Sequence, residues 1–563
     1  MTFEDTLHTH ADGSDRYIGG HLLPDYLGQL TVPDDVEVFD PKLLNAKAPK
    51  SARFEAGNGS HEHLTHREIE KALLELNLKR YELDAIYFGN WLRDHSQLVD
   101  PKIVRAATMP KKFPDILSRD ALTQIVDVLA IKEFPGLREN AADHFRVTPP
   151  MLGVYRPSEH IDNPTTVDLN TPDPTGHDPD FEPLLFPGNP LLEVDYDTSM
   201  KRYIRRSVDF MSRELQTAID NPRTPKGLRA FGSALHVLED FFAHSNFVEL
   251  ALIKNGYTDV LPWTSPADCK AGLPLVTGTF GAADTVASLV GPIGDVLFSI
   301  EDIAYQPIKA GDRSPREQVL LILLSEHQNP EYLRGFQEFL AVRDEWVNLP
   351  LAEFLQRSLK YFTGLSAVLG NSTGIILKDL LILFGENVDD WQTRYGQDPH
   401  DNGSTDPTHS QLAKDHAEHP LHLIAGKLAA IAIREVGAAV VARWDGDMTA
   451  EPIAVAQSYF RHPQGSDWQD GQIVGWATAN PEQLKRTASK TELLEMHRRL
   501  AESTRDAVEQ FRKDGATYLD FLRGEFLDSE SPFWVALAAT VGGSIAQTVL
   551  NFLNRKDGSN NSL

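Results

Sequence analysis

The stretch ALHVLEDFFAHSNF, residues 234–247, sets His236, Asp240 and His244 four residues apart on an otherwise apolar run that reads as buried helix. In an α-helix each such step drifts by about 40° and climbs roughly 6 Å, so the three side chains line one face over some ~12 Å. Neighbouring pairs at this spacing suit a divalent cation, as the two histidines of a helical HExxH motif do. His236 and Asp240 could hold one ion, with His244 on the same or a second one. A buried hydrogen-bonded ladder of His, Asp and His has the same spacing. Spacing alone leaves both readings open.

Four further segments carry metal-ligating residue types. SHEHLTHREIE brings His61, His63 and His66 to the start of a helix, and FGNWLRDHSQLVDP sets Asp94 and His95 beside an aromatic residue. YRPSEHIDNP carries His160 and Asp162, and THSQLAKDHAEHPLHLIAGKL carries His409, Asp415, His416, His419 and His422. Taken singly, histidines of this kind are more often surface or capping groups. Taken together, flanking helical core, they point to a multinuclear site for zinc or calcium. Other nucleophiles are poorly represented: there is no GxSxG elbow and no Walker loop, and Cys269 is the single cysteine. The reactive group of a hydrolase built from these residues would be a water whose pKa falls on binding a metal.

The elements that must position these residues are mostly helical. Apolar residues recur at helical spacing in LTHREIEKALLELNLKRYELDAIYFGNWLRD, in TSMKRYIRRSVDFMSRELQTAI, in GLRAFGSALHVLEDFFAHSNFVELALI and from about Pro420 to Arg443. Residues 145–200 are too rich in Pro and Asp for long helices and read as an extended loop over the core. The spacing predicts a mainly α protein in three parts: an irregular lead-in over 1–58, a helical core over 59–445 and a C-terminal helical region over 446–563. Two apolar, glycine-broken stretches, 273–300 and 532–553, read as a buried or membrane-facing hairpin and as a core, interfacial or short anchoring helix.

Composition narrows the function. With 81 Asp and Glu against 54 Lys and Arg, the net charge of −27 disfavours general nucleic-acid binding and simple electrostatic docking on anionic membrane. The same excess of acid is compatible with several bound cations. The N-terminal residues are polar and acidic and do not form a signal-peptide pattern, so the expected location is the cytoplasm, or outside after signal-independent export, with a peripheral membrane location as the further alternative.

Several of these segments resemble the signature segments of the heterokaryon-incompatibility HET-C family. AIYFGNWLRDHSQLVD, LGVYRPSEHIDNP, ALHVLEDFFAHSNFVELAL, PLVTGTFG, HSQLAKDHAEHPLH and SYFRHP occur in the family's order, over roughly residues 60–463. That family is known from fungal non-self recognition and cell death. LHVLEDFFAHSNF is also distantly similar to a helix of the zinc-dependent phospholipase C and single-strand nuclease superfamily, all-helical enzymes with a trinuclear zinc cluster. Carried over residue by residue, this likeness makes His61 or His66 the early ligand and Asp94 the bridging, catalytic carboxylate. His160 becomes the loop ligand, His236, Asp240 and His244 the helix ligands, and Asp415, His416 or His419 the downstream ligands. His244 follows Asp240 more closely than in those enzymes. The resemblance implies a multi-helix core around two or three zinc ions, or calcium, and phospholipase C-type cleavage of phosphate esters at a phospholipid surface. Its alternative is a non-enzymatic, membrane-acting cell-death or interaction protein, with a protein partner, in which the metal cluster is structural.

Overall fold

The computed structural model describes residues 64–280 with breaks between 102 and 116 and at 165–169, parts of 311–344, and residues 403–496 and 499. His61, the stretch 281–300 and the segment 532–553 lie outside the described residues. The fold is mainly helical. Its elements are α1 (His66–Ile69, continued by a tighter turn over Glu70–Glu75), α2 (Arg80–Ser96), α3 (Arg119–Glu133), α4 (Pro135–Phe145), α5 (Pro149–Leu152), α6 (Ile204–Asp220), α7 (Pro225–His244), α8 (Phe247–Lys254), α9 (Pro315–Glu326), α10 (His409–Leu412), α11 (His422–Trp444), α12 (Pro452–Tyr459), α13 (Asp470–Ala479) and α14 (Pro481–Thr487). Two short parallel strands, β1 (Val104–Arg105) and β2 (Leu117–Ser118), pair beside α3.

Helix α7 is the hub. Thr224 caps its N-terminus by accepting a hydrogen bond from the Gly227 N–H, and Pro225 fills the first helical position. It packs against α2, α6 and α11, and most of its residues, including Phe231, Leu235, Leu238 and Phe241, are buried. The core continues past residue 446, since Ala456, Tyr459, Phe460, Ile473 and Ala477 join the same cluster. Among the described residues no helix is long and apolar enough to cross a membrane.

Helices α2 and α7 cross in backbone contact. A Cβ on Gly232 would lie 1.8 Å from the Ile86 carbonyl oxygen, and one on Gly89 would lie 2.1 Å from that of Arg229. Only glycine permits this approach, which sets the polar residues of the two helices against each other.

The structure breaks two of the expected helices. The run from 66 to 96 is interrupted at Leu76, whose backbone is extended, and α2 starts afresh at Arg80. The stretch 234–247 is not one helix either: α7 ends at His244, Ser245 is extended, and α8 begins at Phe247. Tertiary partners explain this break. Asn246 receives the Val276 N–H on its side-chain oxygen at 2.9 Å and donates its amide to the carbonyls of Pro262 (2.9 Å) and Pro274 (3.1 Å). The segment 273–280 is therefore extended and buried here, with bridges from Thr277 to Ser245 and from Thr279 to Thr408.

Replacing Gly232 with alanine should force the α2–α7 crossing apart. Overpacking of this kind costs about 1–3 kcal/mol. Thermal unfolding should show a Tm several degrees below wild type, and an unchanged Tm would mean that the two backbones do not touch.

Candidate metal centre

Asp240 sits at the middle of a buried polar group inside this apolar core. Its Oδ2 lies 3.1 Å from His236 Nε2 and 3.8 Å from His160 Nδ1. Its Oδ1 lies 3.8 Å from His66 Nε2 and 3.6 Å from His244 Nε2. Asp94 completes the inner face, with Oδ1 3.8 Å from His66 Nε2 and 3.9 Å from His236 Nε2. Donor atoms of His66, His236 and Asp240 all fall within 4.8 Å of one another. For comparison, two ligands of a tetrahedral zinc ion with bonds near 2 Å stand about 3.3 Å apart.

Orienting hydrogen bonds determine which ring nitrogens face inward. Asn90 donates its amide to Glu70 Oε1 (2.9 Å) and Glu239 Oε1 (3.0 Å), so its oxygen must accept from His236 Nδ1 at 2.9 Å. His236 Nε2 is then left as a bare lone pair pointing at Asp240. His66 donates Nδ1–H to Glu239, which turns its Nε2 towards Asp94 and Asp240. Ser96 gives its hydroxyl proton to the Arg93 carbonyl, so its oxygen accepts from His160 Nε2 at 3.2 Å. His160 Nδ1 therefore also carries a lone pair, which takes the Gln97 amide at 3.1 Å and lies 3.0 Å from His236 Nε2. Two lone pairs at that distance repel unless a proton or a cation lies between them. This pattern of orienting bonds behind imidazole lone pairs is what metal ligands have.

Burial drives the electrostatics. Desolvation, reinforced by His66 and Arg93, pushes the His236 imidazole well below the ordinary histidine range. His160 and His244 are lowered in the same way, by burial first and then by neighbouring imidazoles. Asp240 and Glu239 are pushed well above the carboxylate range, again chiefly by burial. Several buried acids thus face neutral rings, and a divalent cation would relieve the cost of burying them.

A second half of the group lies beyond Asp240. His244 Nε2 is 4.0 Å from Asp415 Oδ2, and its ring stacks on His409 with centroids 4.2 Å apart. His409 donates Nδ1–H to Asp162 at 3.1 Å, and Asp162 also accepts from the Tyr155 hydroxyl at 3.0 Å. His244 Nδ1 and Asp415 Oδ1 are buried without a hydrogen-bond partner among the described residues. The donor set as a whole fits a divalent cation.

Residues 50–310 match the family model for the heterokaryon incompatibility protein Het-C. No curated protein and no solved structure matches the chain. The Het-C region supplies His66, Asp94, His160, His236, Asp240 and His244, whereas Asp162's partner His409 and Asp415 come from the chain after it. The match also ends before HSQLAKDHAEHPLH and SYFRHP.

Lys414 fastens that later segment to the Het-C region. Its Nζ donates to the Ser245 and Leu412 carbonyls, each at 2.8 Å, and pairs with Glu249 at 3.0 Å. Its N–H reaches the Ala243 carbonyl at 3.1 Å, as the Gly278 N–H reaches that of His244 at 3.2 Å, so two of α7's last carbonyls are satisfied and Asp415 is brought beside His244. His416 and His419 are buried and pack against each other, with centroids 5.8 Å apart, and His419 Nδ1 accepts the Leu421 N–H. Sequence reasoning missed Asn90, Glu239 and Glu70, whose only signal is placement: Asn90 four residues before Asp94, Glu239 one before Asp240 and Glu70 four after His66. It noted His409 and Asp162 as cluster members without giving them a role.

The titrations give a signed expectation. In cation-free protein the lowered histidines contribute stability that is full above about 6.5 and lost as pH falls. The raised carboxylates contribute stability that is full below about 4 and lost as pH rises through their folded values. The raised carboxylates should therefore pull the Tm of cation-free protein down as pH rises, against the opposite pull of the lowered histidines below about 6.5, and a divalent cation should shrink that downward pull. Scanning calorimetry at several pH values, with zinc and with chelator, measures this.

Lys414→Met leaves Glu249 buried and unpaired. Breaking such a pair costs about 3–5 kcal/mol, and replacing both partners with apolar residues recovers much of it. Chemical denaturation should therefore show Lys414→Met less stable than the double variant with Glu249→Leu. The reverse order would remove Lys414 from its fastening role.

Proposed function

We propose that the Asp240 cluster holds two or three divalent cations, zinc in preference to calcium, and hydrolyses phosphate esters, with phospholipid as the substrate. The observation that supports this reading is the pair of imidazole lone pairs at His66 and His236 turned by hydrogen bonds towards Asp240 and Asp94, with His160 Nδ1 beside them. Imidazole nitrogen is a common zinc ligand, whereas calcium takes six to eight oxygens. A bound cation would lower the pKa of a coordinated water and polarise a phosphoryl oxygen.

The chain's own residues would supply position and proton handling. Asp94 is the most accessible inner carboxylate, at 18% side-chain exposure against 4% for Asp240. It accepts the proton of the attacking water while the water oxygen bonds to phosphorus. The phosphorus–oxygen bond to glycerol then breaks, and the proton passes to the leaving alkoxide, yielding diacylglycerol and a phosphorylated headgroup. Asn90 and Glu239 hold His236 and His66 in the tautomers this requires. The depth of Asp240, His236 and His160 also favours a second reading, in which the cluster is structural and the protein acts on membranes without hydrolysis.

Two experiments separate these readings. Metal analysis of purified wild type and His236→Ala should show fewer bound zinc ions in the variant, and equal contents would sink the ligand assignment. On phospholipid vesicles the wild type should release phosphorylated headgroup and diacylglycerol. Asp94→Asn should keep its metal and lose roughly 10²–10⁴-fold in rate, the usual worth of a positioned acid or base. Dye leakage without cleavage would support the structural reading instead.

A further inference from the structure

His160 and Asp162 belong to different halves of the candidate metal centre, yet one residue separates them. His160 Nδ1 meets His236 Nε2 at 3.0 Å in the inner half, and Asp162 Oδ1 meets His409 Nδ1 at 3.1 Å in the outer half. The residue between them, Ile161, has φ of 56° and is fully buried in the hydrophobic core. The left-handed region is a real outlier for a β-branched residue, because Cβ crowds the following carbonyl oxygen. Strain of this kind persists only where the surroundings over-determine it, and it clusters at functional sites.

The surroundings here do over-determine it. Asp162 N–H bonds the Pro157 carbonyl at 3.0 Å and Asn163 N–H bonds the Gly278 carbonyl at 2.8 Å, which pins the chain on the far side of Ile161. On the near side, Ser96 and Gln97 hold the His160 ring at 3.2 and 3.1 Å. The Ile161 side chain anchors the middle in the apolar core. A right-handed or extended residue at this position would carry His160 or Asp162 away from its partner.

We infer that Ile161 is a positioning residue whose left-handed backbone divides one tripeptide between the two halves of the centre, so that a single loop sets both. The inference rests on the metal-binding reading for one of its two measurements and is independent of it for the other.

The test compares full-length wild type, Ile161→Gly and Ile161→Ala. Glycine takes a positive φ without cost, whereas alanine keeps the strain and loses the anchor. At an ordinary buried position the glycine variant is the less stable of the two. Here it should have a Tm equal to or above that of the alanine variant. In zinc titrations Ile161→Gly should stay within about threefold of wild-type affinity while Ile161→Ala weakens about tenfold or more, the scale of lost orienting contacts. A glycine variant that melts below the alanine variant would overturn the strained pivot. Equal losses of zinc affinity in both would show that the side chain, and not the backbone conformation, sets the loop. Absence of zinc binding by wild type would overturn the metal reading, with the Tm order still deciding the pivot.

Discussion

A carboxylate buried in a helical core must be compensated, and most of this structure follows from how Asp240 is compensated. Water is largely excluded around it, so the partners have to be protein groups or cations. Four imidazoles approach its two oxygens, from α1, from the loop after α5 and from α7 itself. The rings of His66, His160 and His236 are each held from behind, and the holding groups extend the polar network to Glu70, Asn90, Ser96 and Glu239. Burial that lowers the His160, His236 and His244 imidazoles and raises Asp240 and Glu239 leaves a set of donors suited to a divalent cation.

The network depends in turn on one helix crossing. Asn90 reaches His236, Glu70 and Glu239 together because α2 and α7 touch at Gly89 and Gly232. Side chains larger than hydrogen at either position would hold the helices apart and leave the buried polar atoms without partners. Packing and chemistry are therefore coupled at the same contact. The outer half depends on a different device, the interruption of α7 after His244. That break frees carbonyls which Lys414 and Gly278 then satisfy, drawing the 409–415 segment, from beyond the Het-C region, against it.

Much of the helical architecture was legible from periodicity. The patterns at 204–220, 225–244 and 422–444 correspond to helices, because an apolar face repeating at helical spacing has few other ways to be buried. The breaks at 76–79 and at Ser245 were not legible, since apolar patterning continues across both. What stops the helix at Ser245 is Asn246, whose side chain finds better partners in a segment about thirty residues away than a continued helix would allow.

By itself the sequence determined that His236, Asp240 and His244 share a helix face, because fixed rise and rotation per residue make that a local property. It also set the chemical alphabet, histidine and acid with a single cysteine, and an acid-rich composition. Only the tertiary structure decided which rings turn their lone pairs inward, because those choices belong to hydrogen bonds between residues far apart in the chain, such as Asn90 with Glu239 and His409 with Asp162. Such contacts leave no periodicity to read. The same holds for Ile161, whose residue type argues against the left-handed backbone that its folded surroundings impose.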